Sequence, residues 1–87
     1  MAALDLLGRR WCLRVIWELR DERCLSFRDL QAACEGLSPS VLNKRLAELR
    51  AADVVEHAGG YCLTERGRAL MSALRPLHDW AESWGRD

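Results

Sequence analysis

Leu37-Ser-Pro-Ser-Val-Leu-Asn-Lys-Arg-Leu-Ala-Glu-Leu-Arg50 reads as a helix with two unlike sides. Ser38 offers its hydroxyl to the orphan N–H groups of the first turn. Pro39 takes the first helical position, where a missing N–H costs nothing. Leu37 and Leu42 bracket the cap as a hydrophobic staple. At about 100° per residue, Leu42, Leu46 and Leu49 share one side. Ser40, Lys44, Ala47 and Ala51 share the other, flanked by Val41 and Asn43. Small residues and hydrogen-bond donors on the outer side suit an element that enters a groove.

The same layout stands twelve residues earlier, in Leu25-Ser-Phe-Arg-Asp-Leu30. Ser26 is again the cap, and Asp29 completes a capping box. Cys34-Glu-Gly36 ends that helix, and Leu37-Ser38 starts the next at once. Two short helices joined by a glycine-containing turn form a helix-turn-helix unit. In such a unit the second helix, here about 38–51, is the one offered to the major groove.

Working outward, Val54-Val-Glu-His57 and Tyr61-Cys-Leu63 read as two strands joined by Ala58-Gly59-Gly60, and the glycine pair is a hairpin signal. Thr64 caps a further helix, with Glu65 near its positive end. Leu70, Ala73, Leu74, Leu77, Ala81 and Trp84 share one face of it. Pro76 predicts a kink or two consecutive helices there. So long an apolar stripe exceeds what a small domain covers by itself, and a second subunit would cover it. Upstream, residues 2–7 form a short helix stopped by Gly8. Residues 9–20 form another, with Cys12, Val15, Ile16 and Leu19 on one face. Trp17 lies off that stripe. It packs either beneath the N-terminal helix or at a subunit interface or ligand pocket. Residues 21–25 make a charged turn that closes in a very short strand. The architecture is mainly α with a small β-hairpin: a winged helix-turn-helix with N- and C-terminal helical extensions for dimerisation, in a single domain over 1–87.

Composition narrows the function. The 87 residues are 49% hydrophobic and 30% charged, which marks a folded chain of one modest core. No apolar run approaches the roughly 18 residues of a membrane span, and no signal-like segment opens the chain, so a cytoplasmic protein is expected. Net charge is zero, yet residues 1–50 carry nine basic and seven acidic groups, and residues 51–87 carry four and six. A locally basic face on a neutral protein is therefore available. Twelve of the thirteen basic residues are Arg, the better bidentate donor to phosphate and guanine. Cys12, Cys24, Cys34 and Cys62 lack zinc-site spacing. They are expected as four reduced thiols serving as small hydrophobes. Cys24 and Cys62, beside strand-like pieces, are where a reactive thiol would sit. Nothing points to an enzyme, a cofactor or a metal: there is no phosphate loop, no ligand spacing, and His57 and His78 stand alone.

Five stretches taken in order resemble the HxlR-type winged helix-turn-helix regulators of the MarR-like superfamily. They are Leu6-Leu-Gly-Arg-Arg-Trp11, Phe27-Arg-Asp-Leu30, the helix from Leu37 to Leu49, Tyr61-Cys-Leu-Thr-Glu-Arg-Gly67, and Leu74 with Leu77-x-x-Trp80. The resemblance implies a transcriptional regulator that binds a palindromic site in double-stranded DNA as a homodimer. Carried over by position, it points to Ser38, Ser40, Val41, Asn43, Lys44 and Arg45 for DNA, with Arg28 from the preceding helix for phosphate and His57 from the wing. It gives the dimer interface to Leu4, Leu7, Leu74, Leu77, Trp80 and Trp84. Two departures stand out. The wing is shorter than in typical members, with no Lys or Arg at its tip. No Cys precedes the first helix, where redox-sensing members often carry one. Trp11, Trp17, Trp80 and Trp84 serve as core and interface anchors, or else line an aromatic pocket for a small-molecule effector. The neutral charge and blunt wing leave a second reading open, a winged helix used for protein–protein contact.

Overall fold

The computed structural model describes residues 2–84. In chain order they form α1 (Ala2–Leu7), α2 (Cys12–Glu18), α3 (Phe27–Ala33), α4 (Pro39–Ala51), β1 (Val55–His57), β2 (Tyr61–Leu63) and α5 (Glu65–Trp84). This is the expected winged helix, mainly helical with one hairpin.

Local chemistry sets most boundaries. The Ser26 hydroxyl accepts from the Asp29 N–H at 3.1 Å and starts α3. The Ser38 hydroxyl accepts from the Val41 N–H at 3.2 Å and starts α4. Thr64 does the same for α5, accepting from the Gly67 N–H at 3.0 Å. Each bond satisfies a donor that the helix itself leaves orphaned. Between α3 and α4, Gly36 adopts φ 86°, the left-handed turn that glycine enters at least cost. The second helix is shorter than residues 9–20. Trp11 sits at its N-cap with φ 75°, so Gly8 to Trp11 form a turn instead of a first helical turn. Asp21 and Glu22, both at positive φ, swing the chain away at the other end.

The core is one cluster. Cys12, Val15, Ile16 and Leu19 of the α2 stretch meet Leu30, Cys34 and Leu37, then Leu42, Leu46 and Leu49 of α4, and Val54, Val55, Tyr61, Leu63 and Met71 close it. β1 and β2 pair antiparallel, with Val55 opposite Leu63, Glu56 opposite Cys62 and His57 opposite Tyr61. Leu25 bridges to Tyr61 from the other side, so Tyr61 is held from both edges.

Two expectations are narrowed and one is corrected. Of the two outcomes expected at Pro76, a kink or two consecutive helices, the second does not occur, because the C-terminal helix runs unbroken for 20 residues. Leu74 and His78, on either side of Pro76, both pack onto the body of the molecule, and that outweighs the roughly 3 kcal/mol a helical proline costs. Of the two placements left open for Trp17, the structure shows it lining the groove between α2 and α5. Its ring stacks on His78 of α5 at 3.9 Å, with the Arg20 guanidinium 4.3 Å from its centroid. Nor are all four cysteines reduced: Cys24 and Cys62 form a disulfide, their Cα atoms 4.5 Å apart. Cys12 and Cys34 are buried thiols as expected, each held above the ordinary thiol value chiefly by burial.

Toward its C-terminal end α5 loses its cover. Leu77, Trp80 and Trp84 are 56%, 61% and 72% exposed, and Leu4 of α1 is 59% exposed. No helix among the described residues is long and apolar enough to cross a membrane.

Candidate nucleic-acid interface

The outer side of α4 is built as its sequence suggests. Leu42, Leu46 and Leu49 are buried, and they turn Ser40, Asn43, Lys44, Ala47 and Ala51 outward, all exposed. Two expected contacts face inward instead. The Arg45 side chain is only 13% exposed. Its Nε donates to the Arg10 carbonyl at 2.9 Å, and its guanidinium pairs with Glu48, which also pairs with Arg9 at 3.4 Å. Arg45 therefore fastens α4 to the turn before α2. Val41 is half-buried against the core. The helix has room for one outward stripe, and both residues fall on its inner margin.

The other expected contacts sit as follows. Ser38 is exposed, but its oxygen is engaged as the cap and lies 3.4 Å from the Ser40 hydroxyl. Arg28 projects from the first turn of α3 into solvent. His57 ends β1, with its ring stacked on Tyr61 at 4.0 Å. The wing turn is closed by Ala58 N–H donating to the Gly60 carbonyl at 2.9 Å, and its tip carries no cation.

Electrostatics adds one residue that the sequence reading missed. Arg9, Arg14, Arg20, Arg23, Arg45 and Arg75 are each paired with a carboxylate. Among the described residues, Arg28, Lys44 and Arg50 form no such pair, and all three are exposed. Arg50 lies in the last turn of α4, beside the notch that Ala47, Ala51 and His57 line against the wing. Its signal was present: it follows Asn43 by seven positions, two helical turns along the same flank. The paired cations brace the fold. Arg10, Arg66 and Arg68 also lack a carboxylate partner among the described residues, Arg66 and Arg68 donating instead to the Ala52 and Leu63 carbonyls, so the helix-turn-helix holds three of these six cations and offers phosphate-binding charge on a molecule of zero net charge.

The expected dimer residues divide. Leu4, Leu77, Trp80 and Trp84 are exposed, and Trp80 and Trp84 stack with centroids 6.0 Å apart. Leu7 and Leu74 are half-buried against the core of their own chain. The four tryptophans are not brought together. Trp17 alone of them lines the groove of about 480 Å³ between α2 and α5, while Trp11 lies near Gly36.

Comparison with known proteins agrees with this geometry. Residues 6–87 match the family model described as HxlR-like helix-turn-helix. YvaP, an uncharacterized HTH-type transcriptional regulator of Bacillus subtilis, is 32% identical over 90 residues, spanning 94% of this chain and 82% of YvaP. YodB, an HTH-type transcriptional regulator of the same organism, is 30% identical over 91 residues, spanning 95% and 80%. Among solved structures, a possible HxlR family transcriptional factor from Thermoplasma volcanium superposes with a TM-score of 0.88 at 28% identity, covering 97% of this chain and 82% of that one. Quinone-bound YodB superposes with a TM-score of 0.84 at 31% identity, covering 94% and 93%. The helical frame with its antiparallel hairpin is thus shared with a solved HxlR family structure, and the chain belongs to the HxlR-like helix-turn-helix family of DNA-binding transcriptional regulators.

Proposed function

We propose that the protein acts in the cytoplasm as a homodimer, residues 1–87 forming one reading unit per protomer, with each α4 set into the major groove of one half of a palindromic DNA site. The carrying observation is the exposed stripe of Ser40, Asn43, Lys44 and Arg50, in which both cations lack a carboxylate partner among the described residues. Asn43 and Ser40 are suited to base edges, while Lys44, Arg50 and Arg28 are suited to phosphate. The wing, with only His57 near its tip, adds little grip, so α4 supplies the specificity and dimerisation the affinity. The exposed Leu4, Leu77, Trp80 and Trp84 support a subunit contact through α1 and α5. No catalytic step is proposed. Selection of bound sequences from a random DNA pool tests the reading. It should return a palindrome with half-sites about 34 Å apart, one helical turn. A pool with no enriched sequence would sink it, as would a monomer in size-exclusion chromatography at micromolar protein.

The groove between α2 and α5 favours an additional role, in small-molecule sensing. It is largely apolar, with Leu13, Met71, Leu74 and Leu77 around the Trp17–His78 stack. A planar aromatic effector fits such walls, and YodB has been solved with a quinone bound. Calorimetric titration with a panel of quinones checks it: heat lost on Trp17→Leu supports the site, and equal heat in both proteins places any binding elsewhere.

A further inference from the structure

Cys24 and Cys62 occupy a particular position in the small sheet. Leu25 and Tyr61 exchange both backbone hydrogen bonds, at 3.0 and 2.7 Å. In antiparallel pairing the next residues out, Cys24 and Cys62, then form a non-hydrogen-bonded pair, where opposed side chains come closest. Their 4.5 Å Cα separation is that of such a pair. The backbone thus aligns the two sulfurs whether or not they are bonded. Cys24 is exposed and Cys62 half-buried. Both line a shallow cleft of about 160 Å³ with Glu22, Glu56 and Arg68, open to a small reagent. The 38-residue separation means that one bond ties the connector ahead of the helix-turn-helix to the wing behind it.

We propose that Cys24 and Cys62 are a reversible thiol-oxidation site that responds to hydroperoxides and locks the wing to the strand ahead of α3. The Cys24 thiolate attacks the terminal oxygen of the hydroperoxide, the O–O bond breaks, a sulfenic acid forms, and the other oxygen leaves as hydroxide or alkoxide, which takes up a proton to become water or alcohol. The Cys62 thiolate attacks the sulfenic sulfur, the disulfide forms, and hydroxide leaves to take up a proton. Each sulfur gives one electron and the peroxide takes both. A dithiol reverses the step by exchange. In a reducing compartment the thiol form is the resting one, and the bond is then a signal instead of a permanent staple. Cys12 and Cys34, fully buried, stand outside the chemistry. The consequence for DNA rests on the function proposed above: with the wing locked beside α4, the notch lined by Arg50 and His57 is fixed in one shape.

The test is alkylation of the folded protein with iodoacetamide, read by mass spectrometry, before and after hydrogen peroxide and after dithiothreitol. Reduced protein should label at Cys24. Peroxide should abolish that label, lower the mass by two hydrogens and yield a Cys24–Cys62 linked peptide, and dithiothreitol should restore the start. Amide exchange at Leu25 and Tyr61 should slow by about tenfold in the oxidised form. Cys24→Ser, at an exposed position, should lose both responses while remaining folded. Continued labelling of Cys24 after peroxide, a link between two chains, or unchanged exchange would overturn the proposal. A bulk-DNA gel shift run on both forms separates the two readings. Equal affinity would remove the link to DNA. No binding in either form, with the thiol chemistry as described, would remove the proposed function and leave the thiol site standing.

Discussion

Lys44 and Arg45 are adjacent cations on α4, and their surroundings differ sharply. Lys44 stands free in solvent, whereas Arg45 is bound to Glu48 and to the Arg10 carbonyl. Lys44→Ala should therefore weaken binding to all DNA sequences alike and flatten the salt dependence by roughly one unit, as salt-titrated anisotropy would show. An unaltered slope would mean that Lys44 never meets phosphate. Arg45→Ala should instead lower unfolding stability by about 1–2 kcal/mol in urea denaturation, through its lost charge-assisted bonds. Asn43→Ala should change the preferred sequence, with discrimination of about 1–3 kcal/mol lost at one base position in a competition assay. The caps and the outward stripe were legible in the sequence because they depend on neighbours within one or two turns. The inward turn of Arg45 was not, because one of its two acceptors, the Arg10 carbonyl that draws it toward α2, lies 35 positions away. The Cys24–Cys62 bond was hidden for the same reason, at 38.

Among the elements, the wing-to-α5 junction shows why a short motif can be so restrictive. In Tyr61-Cys-Leu-Thr-Glu-Arg-Gly67, Tyr61 is gripped by both neighbouring strands, Leu63 is buried, and Thr64 caps α5. A Cβ on Gly67 would fall onto the Val54 carbonyl oxygen and crowd Leu63. Gly67→Ala gains about 1 kcal/mol of helix propensity. The overpacking costs about 1–3 kcal/mol and involves rigid backbone. The expected outcome is net destabilisation, a lower thermal midpoint with the helix content intact. A raised midpoint would show that β1 can move aside. Hairpin and helix were both readable from periodicity and turn residues. Their contact at Gly67 was not, since closeness of backbones leaves no side-chain pattern. The continuity of α5 through Pro76 escaped for a related reason, being decided by packing on α2 and not by local propensity.

At the scale of the whole molecule, charge and apolar surface are sorted to different regions. Arg28, Lys44 and Arg50 put exposed cations without a carboxylate partner on α3 and α4, while uncovered Leu and Trp stand on α1 and the end of α5. Leu77→Glu, at an exposed position, should leave the protomer folded yet shift sedimentation toward the monomer, and weaken binding to a palindrome far more than to a single half-site. Equal loss on both would place Leu77 outside the subunit contact. The stacked Trp80 and Trp84 carry a wider implication for the proposed dimer. Assembly is second order in protomer, so while dimer is scarce a doubling of the protein gives about four times the assembled form. Occupancy of the regulated site then climbs more steeply than synthesis, and the end of α5 turns cellular abundance into a threshold.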